Sequence, residues 1–132
     1  MSYVDIPDHL SRLYFVYSDS QILVTYYNVY NNADKKYDCI LELWDWQTEQ
    51  IIGTFNTHSR STPLVALSPD RLLLVSGSEE NGTIKVWSVL TGHELSTRTM
   101  HLSSMCALAL SSDGQKLFIW SENTTVQVWG VP

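Results

Sequence analysis

Ser76-Gly-Ser-Glu-Glu-Asn-Gly-Thr-Ile-Lys-Val-Trp87 is the stretch that decides the fold. Its second half, Ile84-Lys-Val-Trp87, alternates apolar and polar side chains with period two, the mark of a strand with one face buried. Asn81-Gly82 just before it is a hairpin signal, because both residues tolerate positive φ. The same alternation ending in tryptophan stands on either side, as Leu41-Glu-Leu-Trp44 and Val126-Gln-Val-Trp129. The three tryptophans are 43 and 42 residues apart, a nearly constant period that makes the chain an internal repeat.

Other residues keep the same step. His9, His58 and His101 precede Ser18, Ser68 and Ser111 by 9, 10 and 10 residues, with the apolar stretches Leu13 to Tyr17, Leu64 to Leu67 and Met105 to Leu110 between them. Turn sequences follow: Ser18-Asp-Ser-Gln21, Ser68-Pro-Asp-Arg71 and Ser112-Asp-Gly-Gln115, whose side chains hydrogen-bond nearby backbone or tolerate left-handed φ. Ile22 to Tyr27, Leu72 to Ser76 and Lys116 to Trp120 are second strands rich in branched and aromatic residues. The first unit has a longer polar stretch, Asn28 to Asp38, in place of a tight turn, and is expected to carry it as a surface loop. Fourth strands are expected at about Gln50 to Phe55 and Glu94 to Arg98.

Four short strands per period of about 42 residues resemble the WD-repeat β-propeller family, whose blades are four-stranded sheets. Trp44-Asp45 is similar to the family's Trp-Asp pair, with Trp87-Ser88 and Trp129-Gly130 as drifted copies. Histidine of the family's Gly-His pair is kept in Asp8-His9, Thr57-His58 and Met100-His101, and its glycine is not. Asn81 and Asn123 stand where the family usually has aspartate.

The resemblance implies an all-β chain of WD-repeat propeller type with three four-stranded blades. The units are 9–57, 58–100 and 101–132, with residues 2–6 as a closing outer strand. Three blades fall below the usual range of about four to eight per ring. The chain is therefore expected to be a partial propeller, the end of a larger WD-repeat protein, or half of a six-bladed ring made by two copies. The resemblance also implies structural braces, in which a histidine, a strand hydroxyl, a turn residue and a tryptophan share hydrogen bonds within one blade. His58, Ser76, Asn81 and Trp87 form one such set. His101, Asn123 and Trp129 form a weaker one, because Ile119 stands in the place of the serine, and Trp44 and Asp45 belong to the first unit.

Composition narrows the function. A chain of 132 residues, 44% apolar and 17% charged, is one ordinary globular region. A net charge of −6 is the wrong sign for holding a phosphate backbone, so nucleic acid is not expected as a partner. Its apolar runs fall far short of the ~20 residues of a membrane-spanning helix, and the start, MSYVDIPDHL, carries acids where a signal peptide carries cations. A cytoplasmic chain is expected, with the nucleus left open. Cys39 and Cys106 are too far apart in sequence for a local metal or redox motif and are expected to be reduced, packed thiols.

No phosphate-cradling loop, paired-histidine helix motif or nucleophile elbow is present, and the repeated histidines fall one per blade rather than around one ion. No enzyme, metal or cofactor is expected. The expected function is a non-catalytic protein-interaction scaffold that binds proteins or peptides; the alternative is the sensor or autoinhibitory propeller of a multidomain regulator. Loops that a scaffold does not require are favoured places for binding. The candidate interaction loop is therefore Tyr30, Asn31, Asn32, Lys35, Lys36 and Tyr37.

Overall fold

The structure, a computed structural model, describes residues 14–19, 21–57, 63–78, 82–99, 105–121 and 126–131. Among these there is no helix, and every strand pairs antiparallel with its neighbours. The chain divides into two compact units, Met1–Arg60 and Ser61–Pro132.

The first unit holds one sheet of four strands in sequence order: β1 (Tyr14–Ser18), β2 (Ile22–Asn31), β3 (Lys36–Asp45) and β4 (Gln50–Asn56). Alternation along β2 and β3 gives the sheet two distinct faces. Ile22, Val24, Cys39, Leu41 and Leu43 share one, and all are buried. Thr25, Asp38, Glu42 and Trp44 share the other, also buried but polar. Full burial of each large aliphatic side chain stabilises by about 1.5–3 kcal/mol, so the first face supplies most of the apolar gain. Buried polar groups need partners. Accordingly Trp44 Nε1 donates to Thr25 Oγ1 at 2.9 Å and Asn56 Nδ2 to Asp38 Oδ2 at 3.2 Å. Burial, then the carboxylate of Glu42, raises the Tyr27 hydroxyl above its ordinary pKa.

The second unit holds two sheets. β5 (Pro63–Leu67), β6 (Leu73–Ser78), β7 (Thr83–Ser88) and β8 (Glu94–Thr99) form a four-stranded meander. β9 (Met105–Leu110), β10 (Lys116–Ser121) and β11 (Val126–Gly130) form a three-stranded one. The two sheets share a core in which Ala66, Val75, Ile84 and Val86 of the first meet Leu117 and Ile119 of the second. Among the described residues, sheets of four, four and three strands thus stand where three four-stranded blades were expected. The proposed closing strand at residues 2–6 lies outside the described residues.

Repetition extends to the hydrogen bonds of the turns. Before β6, the Ser68 hydroxyl donates to Asp70 Oδ1 (2.6 Å) and accepts the Leu73 amide (3.0 Å), while Asp70 accepts the Leu72 amide (3.0 Å). Before β10, Ser111, Asp113, Lys116 and Gln115 repeat the arrangement at 2.5, 3.0 and 3.0 Å. The fourth residue of each turn is left-handed, Arg71 at φ 62° and Gly114 at φ 73°. Just beyond each tryptophan, the amides of Trp46, Val89 and Val131 donate to the carbonyls of Gln21, Leu72 and Gln115, tying the third strand of each sheet to the start of its second. A β-bulge falls at the same place in two sheets. Ile52 and Leu95 are the extra residues opposite Leu43/Trp44 and Val86/Trp87, and both are exposed.

One expectation is corrected. Asn28 to Asp38 is not a loop but the continuation of a hairpin, with pairs Asn28↔Cys39, Val29↔Asp38, Tyr30↔Tyr37 and Asn31↔Lys36 and only residues 32–35 left as the turn. Tyr27, Val29 and Tyr30 favour strand strongly enough to carry the ladder through the interspersed asparagines.

Candidate interaction site

The elongated hairpin gathers all six residues of the expected interaction loop at one tip. Tyr30 and Tyr37 are direct cross-strand partners, and their rings meet edge to face with centroids 5.2 Å apart at 71°. They continue the apolar face of Cys39, Leu41 and Leu43 beyond its buried end and are 47% and 45% exposed. Such pairs gain about 0.5–1.5 kcal/mol beyond their burial. An exposed pair therefore presents ordered apolar area rather than two free side chains.

Asn31 fixes the turn beneath them. Its Oδ1 accepts the amides of Ala33 (3.0 Å) and Asp34 (3.4 Å), and its Nδ2 donates to Asp34 Oδ2 (3.2 Å) and Asp38 Oδ2 (3.4 Å). Lys35 takes the left-handed conformation that closes the tip, at φ 55°, and Asn32, Lys35 and Lys36 face solvent. The result is a pair of half-exposed aromatic rings on one face of a hydrogen-bonded tip, with the exposed lysines Lys35 at the turn and Lys36 on the opposite face. Aromatic anchors with neighbouring cations are suited to a protein surface bearing apolar and acidic groups.

The brace residues are distributed differently. Trp87 Nε1 donates to Ser76 Oγ at 3.0 Å, and both side chains are buried. Trp44 makes the corresponding bond to Thr25, an acceptor that the register reveals and the motif reading missed: each hydroxyl lies two residues beyond the partner that faces the tryptophan. At that position the third sheet has Ile119, and Trp129 instead bonds Gln127 Oε1 of its own strand at 3.0 Å. Asp45 accepts the amides of Gln47 and Thr48 and the Gln21 side chain; the Gln21 bond first, then these amides, hold its carboxyl below the ordinary aspartate range. Ser88, its counterpart, accepts the Thr91 amide. His58, Asn81, His101 and Asn123 lie outside the described residues.

Cys39 is buried, and desolvation pushes its thiol up to about 11, although Thr57 opposes the shift. This is the opposite of what a reactive thiolate requires. Among the described residues no group of three or more histidine, cysteine or acidic side chains could hold a metal ion, and no helix is long and apolar enough to cross a membrane.

Residues 49–88, which run from β4 through the turn-defining stretch to Ser88, match the family described as WD domain, G-beta repeat. Periodic tryptophan protein 2 of Arabidopsis thaliana is 36% identical over 89 residues, covering 67% of this chain and 10% of that protein. Apoptotic protease-activating factor 1 of Rattus norvegicus is 32% identical over 92 residues, 70% of this chain and 7% of that protein. A probable coatomer subunit beta' of Schizosaccharomyces pombe is 24% identical over 106 residues, 76% and 13%. The chain spans about a tenth of the length of these relatives. Tryptophan-closed strands at constant period, repeated turn bonds and the family match lead to one identification: the chain belongs to the WD-repeat family.

Proposed function

We propose that the chain is a non-catalytic protein-interaction scaffold, working as three blades of a WD-repeat β-propeller, with the β2–β3 hairpin tip as a contact surface. The observation that carries this reading is the exposed, edge-to-face Tyr30–Tyr37 pair on a hydrogen-bonded turn. The pair steadies the hairpin and still leaves nearly half of each ring in water, so a partner that covers it gains an ordered anchor. Lys35 and Lys36, exposed at the same tip, suit a partner with acidic groups, and the net charge of −6 counts against a phosphate backbone as that partner.

The test uses the chain with Tyr30→Ser and Tyr37→Ser together. Both positions are exposed, so the variant is expected to melt within a few degrees of the parent while losing the proteins that the parent captures in parallel. An unchanged set of captured proteins from an equally stable variant refutes the tip as the contact surface. Light scattering of the purified chain separates the two propeller arrangements: a dimer mass supports a ring of two copies, a monomer supports a part of a longer propeller.

A second reading, the sensor or autoinhibitory propeller of a multidomain regulator, is favoured by the similarity to a protein named as a protease-activating factor. Joined to a catalytic or assembly domain, the same tip would be expected to act in cis.

A further inference from the structure

The hairpin that carries Tyr30 and Tyr37 runs past the rest of its sheet. Toward the tip, Tyr14↔Tyr26 is the last described pair between β1 and β2, and Ile40↔Asn56 the last between β3 and β4, with a bond from the Thr57 amide to the Cys39 carbonyl just beyond. From there Val29↔Asp38, Tyr30↔Tyr37 and Asn31↔Lys36 pair only with each other among the described residues. Two strands alone are marginally stable in water, so this stem needs a tie to the sheet to hold one register. Register decides the rings. A slip of one residue along β3 sets Tyr30 against Lys36 or Asp38 and turns Tyr37 to the other face.

One side chain supplies the tie. Asp38 is 5% exposed and lies on the face opposite the rings, diagonal to Asn31 at the turn and to Asn56 of β4. Its Oδ2 accepts Asn31 Nδ2 at 3.4 Å and Asn56 Nδ2 at 3.2 Å. Asn31 Oδ1 in turn accepts the amides of Ala33 and Asp34. A chain of bonds thus runs from β4 through one carboxylate oxygen to the turn. Tyr30 and Tyr37 directly precede Asn31 and Asp38, so holding these two side chains together on one face holds the two rings together on the other. Burying a carboxylate is costly unless it is hydrogen-bonded, and bonds to an ionised acceptor are stronger than neutral ones.

We propose that Asp38 is the positioning residue of the tyrosine tip: its carboxylate pins the Asn31 turn to Asn56 of β4 and so sets the register that brings Tyr30 and Tyr37 edge to face. The inference rests on the reading of the tip as a contact surface, and adds to it two residues, Asp38 and Asn56, on the far side of the hairpin from the rings. A partner then meets an anchor already formed and does not have to order it.

The experiment is nuclear magnetic resonance on the full chain. In the parent, nuclear Overhauser contacts are expected between the two rings, with slow exchange of the Ala33 and Asp34 amides. Asp38→Ala is expected to abolish the ring contacts and to speed both amides by about tenfold, the scale of one charge-assisted hydrogen bond. Its melting temperature is expected to stay within a few degrees of the parent, because the aliphatic face of the sheet is untouched. Asp38→Asn, which keeps an oxygen acceptor, is expected to keep the ring contacts, and Asn56→Ala to weaken them. If Asp38→Ala does not fold, these two variants decide the matter. Ring contacts that persist unchanged in Asn56→Ala and in folded Asp38→Ala overturn the proposal, as does their loss in Asp38→Asn. So does a folded Asp38→Ala whose rings have parted but which still captures the proteins that Tyr30→Ser with Tyr37→Ser loses. If that double tyrosine variant captures all that the parent does, the contact-surface reading fails instead, while the ring and amide measurements, made on the free chain, still decide what Asp38 holds.

Discussion

The β5–β8 and β9–β11 sheets start from nearly the same sequence pattern and end differently. Their opening turns are bonded alike, atom for atom, and Trp87 and Trp129 close strands in the same register. Yet Trp87 is buried and bonds across the sheet to Ser76, while Trp129 is half-buried and bonds along its own strand to Gln127. Two causes separate them. Ile119 replaces the hydroxyl that an indole needs opposite it, and β8 covers β7 where nothing described covers β11. A local turn follows its own sequence; a tryptophan's role depends on the strand facing it and on what lies over it.

The largest effect expected from breaking this comparison is at the indoles. Trp87→Ala removes a buried aromatic side chain and should cost about 3–5 kcal/mol, enough to unfold the second unit if its stability is ordinary. Trp129→Ala, at a half-buried ring stacked by Arg98, should cost about 1–2 kcal/mol by area lost. Urea unfolding of the two variants, followed by the fluorescence of the remaining tryptophans, measures the difference. Equal losses would mean that Trp129 is as central to its sheet as Trp87.

The acceptors come next. Ser76→Ala withdraws the hydroxyl that faces Trp87 Nε1 in a buried setting and should cost about 1–2 kcal/mol; Gln127→Ala, nearer solvent, should cost about 0.5 kcal/mol or less because water takes its place. A loss at Gln127 as large as that at Ser76 would overturn the distinction between the two bonds.

Much of this was legible in the residues. Each described strand was expected, most of them to within a position or two at either end, because alternation and turn chemistry are local and three copies reinforce one reading. Ile119 announced the missing hydroxyl of the third set. Three things were not legible. The bulges at Ile52 and Leu95 are two-against-one pairings, a property of register rather than composition. The Asn28 to Asp38 ladder was hidden because asparagine and aspartate signal turns, and here they bond Asn31, Asp38 and Asn56 into the sheet instead. The core in which Val75, Ile84 and Val86 meet Leu117 and Ile119 needs a second sheet to exist at all.

The equal turns predict equal responses to acid. Hydrogen bonds from Ser68 to Asp70 and from Ser111 to Asp113, with the amides of Leu72 and Gln115 behind them, lower both carboxyls below the ordinary aspartate value. A lowered folded pKa gives stability that is present above the unfolded value, near pH 4, and is lost as pH falls through the folded one. Asp70→Asn and Asp113→Asn should therefore each flatten the fall in Tm below pH 4, to similar and small degrees because both carboxylates are exposed. A large effect at one alone would show that the turns differ after all.

The smallest effect sharpens the comparison most, since it concerns one backbone position in two copies. Arg71 and Gly114 are both left-handed, at φ 62° and 73°, but only glycine adopts that conformation without a Cβ penalty. Arg71→Gly relieves the penalty in the folded state and adds freedom to the unfolded chain, so it should be near neutral or stabilising by up to about 1 kcal/mol. Gly114→Ala imposes the penalty and brings a methyl to 3.4 Å from Pro69 Cδ, and should destabilise by about 1 kcal/mol. Thermal melts of the two variants should therefore move in opposite directions, or one should stay still while the other falls. If Arg71→Gly is the more damaging, the Arg71 side chain holds contacts that outweigh its backbone, and the two turns are alike in bonding but not in what they support.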